Sequence, residues 1–138
     1  MNAEYQRLEA DAREVQQQIQ ELGTTVDLRS MPDLVKFEQE MADFGKKLAS
    51  LHLGMALIRA VNSVDLKKRE EEFVKALPKK FHSQGTREKV LHLPGAVTVT
   101  LLVTYYHRVK MPKMNQQGRR GLYPMLMLLG FQAATHLG

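Results

Sequence analysis

Apolar side chains recur at helical spacing through the first half of the chain. Tyr5, Leu8, Ala12, Val15, Ile19 and Leu22 follow one another at intervals of three and four, with Gln, Glu and Arg on the other faces. That is the stripe of an amphipathic helix, and the alternation of threes and fours is that of a heptad seam. The spacing predicts a first helix over residues 3–22, with Gly23 at the left-handed position that ends helices. After a short loop, Ser30-Met31-Pro32-Asp33 offers a capping hydroxyl, a proline suited to a first turn, and a carboxylate that favours a helix N-terminus. A second helix then carries the longest pattern, through Leu34, Phe37, Met41, Phe44, Leu48, Leu51, Met55 and Ile58. Its length points to coiled-coil-like packing. The partner is either the first helix, folded back as an antiparallel hairpin, or the same seam of a second molecule. The hairpin is favoured and dimerisation is compatible with it. Because the first helix is the shorter, a hairpin alone leaves the end holding Leu51 and Ile58 to be covered by something else.

At Asn62-Ser63 the register breaks, and Ser63 is placed to cap a third helix with Leu66, Phe73 and Leu77 inward, ending before Pro78. The run Lys67-Lys68-Arg69-Glu70-Glu71-Glu72 reads as a solvated face, and residues 79–84 as a basic linker. From there the period changes to two. Val97, Val99, Leu101, Val103 and Tyr105 alternate with Thr98, Thr100, Leu102, Thr104 and Tyr106, the pattern of a strand with one buried and one partly wet face. Residues 89–93 form a shorter strand before it, and Leu93-Pro94-Gly95-Ala96 supplies the turn of a β-hairpin. Further on, Gly121-Leu122-Tyr123-Pro124 opens a short helix that is apolar on every side, so it must be buried; core filling is the expected role of its methionines. The fold class is therefore α+β, mainly α. A three-helix arm over residues 1–77 is expected to precede a β-hairpin, a basic loop and a short apolar helix over residues 78–138.

Charge changes this picture more than composition does. Residues 1–72 hold ten Lys/Arg against fourteen Asp/Glu, a net of −4, whereas residues 73–138 hold ten Lys/Arg against Glu88 alone, a net of +9. Such segregation favours a polyanionic partner for the C-terminal part. Nucleic acid is preferred to acidic lipid, since no basic amphipathic helix accompanies the charge, and DNA to RNA. A merely soluble basic surface is the plainer alternative. The centre of this charge is the stretch from residue 108 to residue 121, where Arg108, Lys110, Lys113, Arg119 and Arg120 stand with no acid among them, and Gly118 and Gly121 let the backbone approach a ligand. These five cations are expected to contact phosphates. Tyr105 or Tyr106 is available to stack on a base, with hairpin packing as the alternative role.

The absence of cysteine excludes disulfides, thiolate nucleophiles and cysteine-held metals. The histidines form no i, i+4 pair; His92 and His107 can face each other across the hairpin but lack a third ligand, so neither a metal nor another cofactor is expected. No serine sits in a glycine elbow, and no phosphate-binding GxxxxGK[ST] occurs, so no catalysis is expected of this chain. The first twenty residues are polar and no run approaches a membrane span, which leads to an expectation of a cytoplasmic protein without a membrane partner.

Leu91-His92-Leu93-Pro94-Gly95-Ala96-Val97-Thr98-Val99, then Thr104-Tyr105-Tyr106, a basic glycine loop, and Gly121-Leu122-Tyr123-Pro124-Met125-Leu126-Met127-Leu128-Leu129-Gly130 resemble the N-terminal region of bacterial insertion-sequence transposases of the Kra type. That family carries an "LPG-hydrophobic" hairpin, a YY strand end, a basic loop and a "G(L/F)YPxLxxLG" helix ahead of a DDE catalytic core. Many members place zinc-knuckle cysteines after the tyrosines; here His107 and Arg108 follow, so the zinc does not carry over. Nor do the acidic residues that hold two Mg²⁺ ions in such enzymes, because no Asp or Glu follows Glu88. The resemblance implies a nucleic-acid-binding accessory or N-terminal module of a mobile element, truncated, frameshifted or repurposed, associating through its helical seam as a homodimer or in a larger complex. The alternative is a helical scaffold or small subunit of a larger nucleoprotein complex, in which the second and third helices do the binding.

Overall fold

A computed structural model describes residues 2–108 and 121–131. Its elements are α1 (Asn2–Thr25), α2 (Met31–Val61), α3 (Val64–Lys75), β1 (Phe81–Leu93), β2 (Val97–Arg108), β3 (Gly121–Leu122) and α4 (Pro124–Leu128). The strands form one antiparallel sheet in the order β1-β2-β3. The class is α+β, mainly α, as the patterns predict. By contact the chain groups into two compact units: Met1–Ile58 with Val90–Thr100, and Arg59–Lys89 with Leu101–Gly138. The hairpin tip thus belongs to the first unit and its base to the second.

In the first unit α1 outruns its expected end. Gly23 lies inside the helix, which continues through Thr24 and Thr25; their hydroxyls donate back to the carbonyls of Gln20 and Glu21. Two close approaches fix the helix pairing. A Cβ on Gly23 would stand 3.8 Å from Met41, and one on Gly54 would stand 3.1 Å from Leu8, so α1 and α2 run antiparallel. Leu8, Ala12 and Val15 are buried on α1, and Leu51, Met55 and Ile58 on α2; Leu34, Phe37, Met41, Phe44 and Leu48 are only half-buried.

The cover for the buried end of the seam is the hairpin tip. Val99 lies 3.5 Å from the same point on Gly54, and Val97 and Val99 are buried. At the turn, Gly95 and Ala96 have φ of 77° and 59°, and a Cβ on Gly95 would come within 3.0 Å of the Lys47 backbone. Glycine is required there by both sign of φ and space.

Polar contacts lock α1 to β2. Arg7 forms a two-point ion pair with Glu4 and also donates to the Thr98 carbonyl at 3.0 Å, while the Thr100 N–H donates to Glu4 Oε2 at 2.7 Å. The Arg7 guanidinium, aided by the Thr100 N–H and opposed by partial burial, holds the Glu4 carboxyl below the usual carboxylate range. A folded-state pKa below the unfolded one means stability that is present above the unfolded value and lost as pH falls through the folded value. Glu4→Gln is expected to cost about 1–2 kcal/mol at neutral pH and to flatten the acid limb of a stability–pH profile. An unchanged acid limb would show that the contact contributes nothing.

In the second unit Ser63 caps α3, accepting from the Leu66 N–H at 3.1 Å. The helix stops before Pro78, and α3 packs against α4. The strand after it begins earlier than expected: Phe81 to Gln84, read as linker, are already β1. Residues 82–88 are exposed on both sides, so no alternation marks them. Gly85, at φ 84°, is the single left-handed residue of that stretch. A further strand that no pattern announced, β3, pairs with β2 through Tyr106↔Leu122 and His107↔Gly121. In the apolar segment that follows, Pro124, Met125 and Leu126 are buried, while Met127 to Leu129 are half-buried.

Candidate functional site

The base of the hairpin carries two distinct clusters, one aromatic and one polar. In the first, the odd-numbered positions of β2 face inward, so Tyr105 is buried with Val103 and Leu101. His107, two residues on and on the same face, brings its Nε2 to 2.7 Å of the Tyr105 hydroxyl, with the rings edge to face at 4.7 Å. Tyr123, fully buried, tilts against Tyr105 at a centroid distance of 4.9 Å. Two cations of β1 lie over these rings, Arg87 over Tyr105 at 5.2 Å and Lys89 over Tyr123 at 4.8 Å; the first ties β1 to β2, the second ties β1 to the start of α4. Burial pushes the Tyr123 phenol up, with Tyr105 adding and Arg87 opposing.

Gly121 completes this cluster for a reason unlike the expected one. A Cβ there would fall inside the Tyr105 phenol. The glycine is required by packing.

The polar cluster is a cleft of about 370 Å³ between α3 and the opposite side of β2, lined by Lys67, Glu70, Glu71, Thr86, Thr104 and Tyr106 among others. Glu70 is the residue that sequence reasoning missed. The charge run over residues 67–72 predicts a solvated face, yet Glu70 is only 6% exposed, whereas Lys67, Lys68, Arg69, Glu71 and Glu72 are exposed. The signal was present: Leu66, Glu70, Phe73 and Leu77 are spaced four, three and four, which puts Glu70 on the inward stripe of α3. The Met125 N–H donates to its carboxylate, but Oε2 has no partner among the described residues. Burial raises the Glu70 pKa above the usual carboxylate range, with the Met125 N–H opposing, Glu71 adding and Lys67 opposing. The Tyr106 phenol is likewise raised, by burial first and then by Glu70 and Glu71.

The predicted nucleic-acid residues fare differently. Lys110, Lys113, Gly118, Arg119 and Arg120 lie outside the described residues. Arg108 ends β2 and is half-buried. Tyr105 is 8% exposed with neighbours on its faces and edge, so the parity of the strand prevails over the stacking role. Tyr106 keeps some exposure, but beside two carboxylates, a setting that repels a phosphate chain. The ladder pair His107↔Gly121 holds both ends of the basic segment at one edge of the sheet.

His92 is exposed at the hairpin tip, and His107 is engaged with Tyr105. Among the described residues no group of three or more His, Cys, Asp or Glu is arranged to hold a metal ion, and no helix is long and apolar enough to cross a membrane. No protein-family model, curated protein or solved structure matches the chain.

Proposed function

We propose that this chain is a nucleic-acid-binding module, of the accessory or N-terminal kind that its resemblance to Kra-type transposases implies, with DNA as the preferred ligand. The observation that carries the reading is the net charge of +9 over residues 73–138, where Glu88 is the only acid. Two features of the base of the hairpin support it. The five-cation segment leaves the sheet at Arg108, the end of β2, and returns to it at Gly121, whose strand pairs with β2. On the preceding strand and its approach, Lys79, Lys80 and Arg87 are exposed, and none forms an ion pair with a described residue. They extend the cationic surface beyond the loop.

A shift assay with equal lengths of duplex DNA, single-stranded DNA and RNA, run over a salt series, tests the reading. Binding should be present at low salt and should fall linearly in log affinity against log salt, with duplex DNA held at least as tightly as the others. Absence of binding at low salt would favour the scaffold reading instead. That second reading draws on one observation: at the start of α2, Met31 and Val35 are 70% and 58% exposed, an apolar patch suited to contact with protein.

A further inference from the structure

We propose that the cleft between α3 and β2 binds a cationic N–H donor group, an ammonium or guanidinium, with Glu70 as its counter-ion. The inference concerns other residues than those of the basic segment and does not rest on the nucleic-acid reading.

The argument starts from the cost of Glu70. A carboxylate more than nine-tenths buried, with one oxygen bonded to the Met125 N–H and the other without a partner among the described residues, destabilises the fold relative to an apolar or amide side chain of the same shape. Buried polar atoms are almost always satisfied, so this one calls for a partner beyond the described residues. Glu70 is moreover a lining residue of the cleft, not sealed in a dry core. The surroundings then select the ligand. Glu71 adds a second carboxylate, Thr86, Thr104 and Tyr106 bring hydroxyls that can accept, and among the described residues Lys67 is the lone cation of the lining. Two carboxylates against one ammonium disfavour an anion. A metal ion is disfavoured by the absence of a three-ligand group among the described residues. Leu102, 42% exposed on β2, offers apolar surface along which an aliphatic stem can lie. A cleft of about 370 Å³ suits one long basic side chain or a small amine. The raised Glu70 pKa is consistent with this, since burial outweighs what the Met125 N–H and Lys67 return.

The two sources of such a group, a free polyamine and a basic side chain of a polypeptide, are separated by the probes. Amide chemical shifts of the full chain are followed at neutral pH during titration with spermidine, with N-acetyl-arginine amide, and with propylurea as an uncharged control. Saturable shifts confined to α3, β2 and the start of α4 are expected with at least one cationic probe and not with propylurea. Tighter binding of spermidine identifies the free amine as source, and tighter binding of the capped arginine a side chain. Glu70→Gln keeps an acceptor for the Met125 N–H, so it should melt no lower than the parent, yet bind the preferred probe about tenfold more weakly or worse. Nucleic-acid binding should be unchanged in that variant. If Glu70→Gln does not fold, Thr86→Met, which narrows the mouth from the exposed strand and leaves Glu70 in place, carries the same comparison. Equal binding by the parent and the folded variant, or no saturable response to either cationic probe, overturns the proposal.

Discussion

Gly121→Ala is expected to destabilise the protein by about 3 kcal/mol or more, at the upper end of what overpacking costs. The added methyl would fall where the Tyr105 phenol now sits. That ring is not free to give way, because His107 holds its hydroxyl and the buried Tyr123 lies against it. The variant should lose the near-ultraviolet signature of ordered tyrosines together with its melting temperature. Since β3 consists of Gly121 and Leu122 alone, it should also release one end of the basic segment. Combining it with Tyr105→Leu should restore part of the loss, as neighbouring changes that share a contact are coupled. A Gly121→Ala protein that melts like its parent would mean that Tyr105 does not occupy that place.

The second large effect belongs to the first unit. Leu8 is fully buried on α1, against the bare backbone of Gly54 on α2, where Val99 of β2 also arrives. Leu8→Ala is expected to cost about 2–5 kcal/mol through lost transfer energy and an unfilled cavity. Denaturant unfolding would read this as a lower midpoint with little change in slope. A loss below the range for a surface leucine would show that α1 does not dock on the hairpin tip.

How far the sequence could be read followed from where burial creates a pattern. The heptad stripes revealed α1 and α2 because each has a solvated side. The alternation from Val97 to Tyr105 revealed β2 because its two faces meet different surroundings. Residues 82–88 of β1 are exposed on both faces, so apart from Arg87 over Tyr105 their pairing leaves no trace in the choice of side chains. Gly23 misled for a related reason. Glycine inside a helix costs about 1 kcal/mol, a penalty that the packing of α1 on α2 can outweigh, and it is no sure stop.

The site was less legible than the fold. Tyr105 was placed by its parity among the buried residues and by its chemistry among the ligand contacts, and parity decided. Gly121 resembles a loop glycine in sequence; only the phenol that occupies its Cβ position explains it. Glu70 was concealed in a run of six charges, although its spacing from Leu66 and Phe73 set it apart. A charge on an apolar stripe is a conflict between local pattern and packing, and such conflicts gather at functional sites.

The central claim, that residues 108–120 contact phosphates, is tested most directly by the salt dependence of duplex DNA binding in the parent and in the Arg119→Ala/Arg120→Ala variant. Each neutralised phosphate contributes roughly 0.9 to the slope of log affinity against log salt. If both arginines make such contacts, the double variant should bind all sequences more weakly and its slope should flatten by about two. Tight binding with an unchanged slope would contradict the account and place the nucleic-acid contact elsewhere on the chain.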